Sequence, residues 1–378
     1  MMVDKRKFKD TNVSLLGLGT MRLPCETKQK RESNPNIDYD KAQSLVDLAY
    51  KNGVNYFDTA YMYHCGKSEA FIGYALKKYP RNTYFIADKL PIWLCDTKED
   101  MKRVFEKQLE RTGMDYFDFY LLHSLDNENF EKCEKFDAYD FLKKMQKDGK
   151  IKYIGFSFHG TVDDLRNIVS AHKWDFAQIQ MNYLDWENQN AKMQYQILED
   201  ACIPTIVMEP VRGGKLALVN DEISDMFKSL KPDNSPASWA MGFAASHKNI
   251  ITILSGMNSA EQMLDNLSTL TDFKPFTDIE YSLCEKAAAI INKSEVISCT
   301  GCDYCQPCPK GIKISSFFSL YNSVVSGEID INSGRDKYNS YKVSPTACAW
   351  CNKCKNHCPQ SISVPDVLEG KVVKLFMQ

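Results

Sequence analysis

Between residues 13 and 271, short apolar runs alternate with amphipathic segments of helical length, and this alternation restricts the fold more than any other property of the chain. The candidate strands are VSLLGLG (13–19), VNYFD (54–58), TYFIADK (83–89), FDFYLLH (117–123), IKYIGFS (151–157), FAQIQ (176–180), IPTIVM (203–208) and ITILSG (251–256). Between the first two, DKAQSLVDLAYKNG sets Ala42, Leu45, Val46 and Ala49 on one stripe and stops at Gly53, as a helix before a turn does. Further helical stretches fall near 67–79, 97–112, 134–149, 161–171, 188–201, 235–246 and 259–271. Near-continuous apolar strands are those buried on both faces, and eight β/α repeats favour a closed (β/α)8 TIM barrel over an open doubly wound sheet. No G-x-G-x-x-G follows the first strand, which removes the main argument for a Rossmann dinucleotide-binding unit.

The chain has 378 residues, and a barrel uses about 250 to 300. The expected organisation is a barrel over 1–290 and a small unit over 291–378. Of fourteen cysteines, six (25, 65, 95, 133, 202 and 284) have no regular spacing and read as ordinary thiols. The other eight form two runs. CAWCNKCKNHCP (348–359) is C-x2-C-x2-C-x3-C-P, the spacing of a bacterial two-cluster ferredoxin, in which the fourth cysteine reaches the neighbouring cluster. That crossing predicts Cys299, Cys302, Cys305 and Cys358 on one [4Fe-4S] centre, and Cys348, Cys351, Cys354 and Cys308 on the other. The first run departs from the rule, because only Gln306 and Pro307 separate its last two cysteines. Two structural zinc sites are the alternative, although zinc usually takes paired C-x2-C hooks; disulfides are disfavoured in a cytosolic chain.

The cytoplasm is the expected compartment, since no run of about 18 apolar residues occurs and MMVDKRKFKD has no apolar signal core. A formal net charge of −2 gives no reason to expect a nucleic-acid or anionic-membrane partner.

Active-site groups in (β/α)8 barrels sit where the strands end. Asp58 closes the second predicted strand, Lys89 the third and His123 the fourth, and Tyr63 follows Asp58 in the next loop. Each alone has an ordinary explanation as a turn cap, a rim charge or a packed ring. Together they can deliver a proton: an ammonium favours phenolate, a carboxylate holds the ammonium, and an imidazole orients a carbonyl oxygen. Hydride must then come from a cofactor.

At this point the chain resembles the aldo/keto reductases. FDTAYMY (57–63), the lysine of ADK at 89 and YLLH (120–123) are similar to the family's Asp, Tyr, Lys and His tetrad. LLGLGTM (15–21), GKSE (66–69), GFS (155–157), QMNY (180–183) and the S-x-x-Q at 259–262 extend the likeness over residues 13–271. With its tail, the chain looks like the subgroup whose barrel carries a C-terminal ferredoxin-type extension. The resemblance implies NAD(P)H-linked reduction of an aldehyde or ketone, reversible to oxidation of an alcohol, with Tyr63 as general acid. It also implies carboxamide contacts from Ser157 and Gln180, cofactor contacts from Ser259, Gln262 and Asn266, and a pocket lined by Tyr61 or Trp93.

The departures are specific. Phe158 stands where many members have asparagine, Met208 where a stacking tyrosine is often found, and Gly256 and Gln262 where NADPH-preferring relatives have lysine and arginine. The choice between NADH and NADPH therefore stays open, and so does a flavin. Arg212, Gly213 and Gly214 read either as an anion-binding loop or as a tight turn. The clusters carry single electrons, which suggests a redox-protein partner if they relay charge; structural or redox-sensing roles are the alternatives. The rival to catalysis is a barrel that serves as a scaffold in an electron-transfer complex.

Overall fold

The computed structural model describes residues 2–26, 36–293, 295–360 and 362–377. The chain divides into two compact units, one of Met1–Val211 with Leu216–Glu285 and one of Arg212–Lys215 with Lys286–Gln378.

The first unit opens with a hairpin, β1 (Lys5–Phe8) paired antiparallel to β2 (Thr11–Ser14). The barrel strands follow: β3 (Leu16–Gly19), β4 (Tyr56–Asp58), β5 (Phe85–Leu90), β6 (Phe117–Leu125), β7 (Ile151–Phe158), β8 (Phe176–Gln180), β9 (Thr205–Met208) and β10 (Ile250–Ser255). They pair in parallel in the order β10-β3-β4-β5-β6-β7-β8-β9 and close on themselves. The predicted barrel is thus present, with one difference of detail. The run read as one strand, VSLLGLG, breaks at Leu15: its first part belongs to the hairpin and only Leu16–Gly19 joins the barrel.

The hairpin closes one end of the barrel. Phe8 and Val13 pack with Tyr56, Ala87, Phe119, Leu121, Phe176, Ile206, Ile251 and Leu254 in one buried cluster. Burying a phenylalanine of this kind contributes about 1.5–3 kcal/mol, so the hairpin is part of the core rather than a loose leader. Its origin is pinned to the far end of the barrel sequence, where the Asp4 amide donates to the Leu270 carbonyl at 2.9 Å and the Asp4 carboxylate accepts from the amides of Asp272 and Phe273.

The helices follow from caps and stripes. Helix α1 (Tyr39–Lys51) is capped by Asp38 and buries Ala42, Leu45, Val46 and Ala49, the stripe read from the sequence. Helix α2 spans Lys67–Leu76, and α3 (Lys98–Thr112) starts at a Thr97/Asp100 capping box and ends at Gly113, whose φ of 63° is the left-handed region that glycine tolerates. The polar helices Asn127–Lys135 and Asp221–Leu230 were not expected.

The second unit contains helices and turns and, among the described residues, no strand. Helix Ile314–Val325 supplies Phe317, Phe318, Leu320 and Tyr321 to a small core shared with Tyr338, Ile362, Leu368, Val372 and Phe376, and the cysteine runs pack against it. No helix among the described residues is long and apolar enough to cross a membrane.

Candidate active site

The tetrad read from the sequence converges at the C-terminal ends of adjacent strands. Parallel pairing sets Asp58 opposite Ala87 on β5 and Lys89 opposite Leu121 on β6, so Asp58, Lys89 and His123 come from three neighbouring strands. Tyr63 begins a short turn, Tyr63–Gly66, between β4 and α2. Within that turn His64 and Cys65 both have positive φ, 49° and 56°, a conformation that costs non-glycine residues energy and is held only by the surrounding structure.

Lys89 is fully buried and makes three bonds. Its Nζ donates to both carboxylate oxygens of Asp58 at 2.7 Å and to the Thr59 carbonyl at 2.8 Å. The same ammonium stands 5.0 Å from the centroid of the Tyr63 ring. Burial pushes the Asp58 carboxyl up, and Lys89 pulls it back toward ionisation. With three bonds converging on the ammonium, the pair is ionic.

His123 lies on the other side of Tyr63, with ring centroids 6.3 Å apart and planes at 82°, and Trp93 packs on the imidazole at 5.0 Å. Burial, then Lys89 and His159, hold the His123 pKa well below the usual imidazole range, so the ring is neutral. A neutral imidazole offers one N–H to a substrate oxygen without placing a second cation beside Lys89. His123 Nδ1 is buried and has no hydrogen-bond partner among the described residues. His159, just past the end of β7, is a neighbour that sequence reasoning missed; burial lowers its pKa to about 4. Its place directly after a strand end was the available signal.

The residues expected to contact a dinucleotide lie elsewhere on the same strand ends, and each has a protein partner. Ser157 Oγ accepts from the Ser124 amide at 2.7 Å, which leaves its hydroxyl hydrogen for a further acceptor. Gln180 Nε2 donates to Asp185 Oδ2 at 2.7 Å. Ser259 caps helix Ala260–Thr269, accepting from the Gln262 amide, while Gln262 Oε1 accepts from the Asn258 amide at 2.9 Å. Asn266 is buried and donates to Ser255 Oγ at 2.9 Å, fixing the end of β10. A Cβ at Gly256 would meet the aliphatic stem of Arg22 at 3.2 Å, which accounts for glycine there in place of a longer side chain.

Arg212, Gly213 and Gly214 all adopt positive φ (49°, 66° and 96°), and this stretch belongs to the second unit. The Arg212 guanidinium donates twice to Gln360 Oε1, at 3.2 and 3.1 Å, and Lys215 donates to the Ile297 carbonyl.

In the second unit the eight clustered cysteines line two hollows. Cys299, Cys302, Cys305 and Cys358 line one, with Phe318, Ile362 and Val364. Cys305, Cys308, Cys348, Cys351 and Cys354 line the other, with Ile312, Ile314 and Leu368 around them. Cys305 thus lines both hollows, and among the described residues no group of three or more side chains is arranged to hold a metal ion. An all-sulfur donor set in apolar surroundings fits an iron–sulfur cubane.

Comparison with known proteins agrees with this division. Residues 15–289 match the aldo/keto reductase family and residues 298–363 match a 4Fe-4S dicluster domain. The NADH-specific methylglyoxal reductase of Escherichia coli is 24% identical over 69% of this chain and 91% of its own length. An uncharacterised oxidoreductase of Bacillus subtilis is 24% identical over 70% of this chain and 90% of its length. Among solved structures, an aldo-keto reductase from Klebsiella pneumoniae in complex with NADPH superposes with a TM-score of 0.59 at 20% identity, covering 76% of this chain and 95% of that one. With the closed barrel and its tetrad, the matched residues establish that this chain belongs to the aldo/keto reductase family, its barrel followed by a 4Fe-4S dicluster-type domain.

Proposed function

We propose that the barrel reduces an aldehyde or ketone at the expense of NAD(P)H, with Tyr63 as general acid. The observation that carries the reading is the Lys89 ammonium, fixed by Asp58 and Thr59 and held 5.0 Å from the Tyr63 ring. A bound dihydronicotinamide supplies hydride to the carbonyl carbon. The chain's own groups handle the oxygen. His123 donates a hydrogen bond to it, and Tyr63 gives up its hydroxyl proton as negative charge develops there, so the phenol O–H breaks while the alcohol O–H forms. Lys89 stabilises the phenolate left behind, and Asp58 keeps Lys89 charged and in place. Trp93, packed on His123, excludes water from one side of the imidazole.

The donor set suits a dinucleotide in part. Ser157 has a hydroxyl proton to offer a carboxamide, and the N-terminus of helix Ala260–Thr269 can receive a phosphate. No lysine or arginine occurs between residues 254 and 266, so nothing in that segment favours NADPH over NADH. The two cysteine hollows would hold two [4Fe-4S] clusters, whose chemistry is single-electron transfer; Cys299, Cys302, Cys305 and Cys358 would ligate one and Cys308, Cys348, Cys351 and Cys354 the other. The names of the relatives suggest small dicarbonyls such as methylglyoxal as first substrates to assay.

Tyr63→Phe tests the reading. Carbonyl reduction should fall by about 10²-fold or more while coenzyme binding and the barrel's circular dichroism stay as in the parent. Unchanged turnover would remove Tyr63 from the chemistry, and failure to bind NADH or NADPH at all would favour a scaffold.

A further inference from the structure

Lys89 is gripped by Asp58 on the barrel side of β5. Its neighbour Asp88 points to the opposite face, as successive strand residues do, into the layer beneath α2 and α3. Asp88 and Glu69 are both 0% exposed, and the Glu69 carboxyl stands within hydrogen-bonding reach of Gln108 and of the Asp88 carboxyl. Asp88 Oδ1 accepts from the Lys89 amide at 2.8 Å and from Gln108 Nε2 at 2.9 Å, and the same Gln108 nitrogen donates to the Lys89 carbonyl at 2.9 Å. Glu69 Oε2 accepts from Arg111 Nη1 at 2.8 Å. The remaining oxygens, Asp88 Oδ2 and Glu69 Oε1, are buried and receive no donor from the described residues. Two buried carboxyl oxygens that can only accept repel one another unless one of the two groups carries a proton.

The charges lead to the same conclusion. Three buried carboxyl groups, Asp58, Glu69 and Asp88, meet two cations here, the buried Lys89 and the partly exposed Arg111. Lys89 matches Asp58, and Arg111 matches one of the other two. Gln108, from α3, and the Tyr120 phenol, from β6, complete the surroundings without charge. One negative charge is left over in a site where an unpaired ion is strongly disfavoured.

We propose that Glu69 and Asp88 share one proton at neutral pH, and that this acid–carboxylate pair, with Gln108, positions Lys89 from behind. Burial, followed by the facing carboxylate of Glu69, pushes the Asp88 pKa well up, in keeping with the shared proton. Loss of the proton would add a negative charge behind β5, opposing the field that Lys89 exerts on Tyr63. The proton is a property of the fold and does not depend on which carbonyl the barrel reduces.

The side-chain amide of Asp88→Asn would mimic the protonated acid, with Oδ1 accepting from Lys89 and Gln108 and the amide donating to Glu69. Infrared difference spectra of the full chain at pH 7, parent against Asp88→Asn and against Glu69→Gln, should each show the loss of one protonated-carboxyl band. No such band in the parent overturns the shared proton. Because the folded pKa is raised, the parent should lose stability as pH climbs toward that value, and Asp88→Asn should remove this loss; identical pH–stability curves count against the proposal. Positioning is read from amide exchange at Lys89. Asp88→Leu should exchange at least about 10-fold faster than Asp88→Asn, and equal rates would mean that Asp88 does not hold the lysine.

Discussion

In the barrel, Lys89 is fixed by bonds to Asp58 and Thr59 and by the registers of β5 with its neighbours, so the geometry is set by protein groups alone. In the C-terminal unit seven of the eight clustered thiols sit on turns and loops, where Gly301, Asp303, Gly311, Trp350 and Asn352 all have positive φ, and Cys354 sits on the short helix Lys353–Asn356. Side chains brace these turns: Gln306 reaches the Ile312 carbonyl and the Cys308 amide, and Asn322 ties down Ile297. A closed ladder of eight strands needs no ligand to hold a constellation in place. A helical unit of fewer than a hundred residues, with turns converging on sulfur, gains much of its order from what the sulfur binds.

The largest effect should come from breaking the second region. Protein prepared without oxygen should carry about eight iron and eight sulfide per chain, and Cys351→Ser about half of each. Stripping the iron should raise protease cutting within 296–365 roughly 100-fold or more, with the barrel unaffected. Equal cutting of both regions would erase the contrast, and stoichiometric zinc without sulfide would reassign the hollows.

A smaller effect should follow from loosening the first region. Lys89→Met leaves Asp58 buried without its cation, and the expected cost is about 3–5 kcal/mol in denaturant unfolding. Carbonyl reduction should fall in the same direction as for Tyr63→Phe, since the phenol loses its polarising charge. A variant as stable as the parent would show that Asp58 is held by something other than Lys89.

The smallest effect is in acid. His159 is half-buried, and desolvation lowers its pKa to about 4, whereas an unfolded histidine titrates near 6.5. The unfolded chain therefore binds the additional proton first, and this contribution to stability is present above about pH 6.5 and is lost as pH falls toward 4. His159→Gln should reduce the slope of stability against pH in that window by up to about one proton. No change in slope would mean that the ring is solvated.

Much of this could be read from the chain because the barrel's strands are buried on both faces and end in reactive residues. Asp58, Lys89 and His123 were legible as strand ends, and the 4Fe-4S dicluster-type domain as cysteine spacing. Other features depend on distant partners. The Leu15 break inside VSLLGLG is invisible to an apolar pattern, since hairpin and barrel strands both bury their residues. Arg212 was readable as a loop cation, but Gln360, which it meets, is 148 residues away. Asp88 adjoins Lys89 in the sequence, but Gln108, which donates to it, is 20 residues away. The helix Asn127–Lys135 went unread because only Cys133 of its nine residues is buried.

The closure of the barrel also has a consequence in time. Strand β3 pairs with β10, and Asp4 bonds to Leu270, Asp272 and Phe273, so the first barrel strand waits for the last. At ribosomal rates of about 5–20 residues per second, that wait is roughly 10–50 s. Throughout it, the apolar edge of β3 and the ring of Phe8 are exposed on a nascent chain. The cysteine runs leave the ribosome only after the residues that complete the barrel, so whatever the sulfurs bind meets a chain whose barrel already has everything it needs to fold.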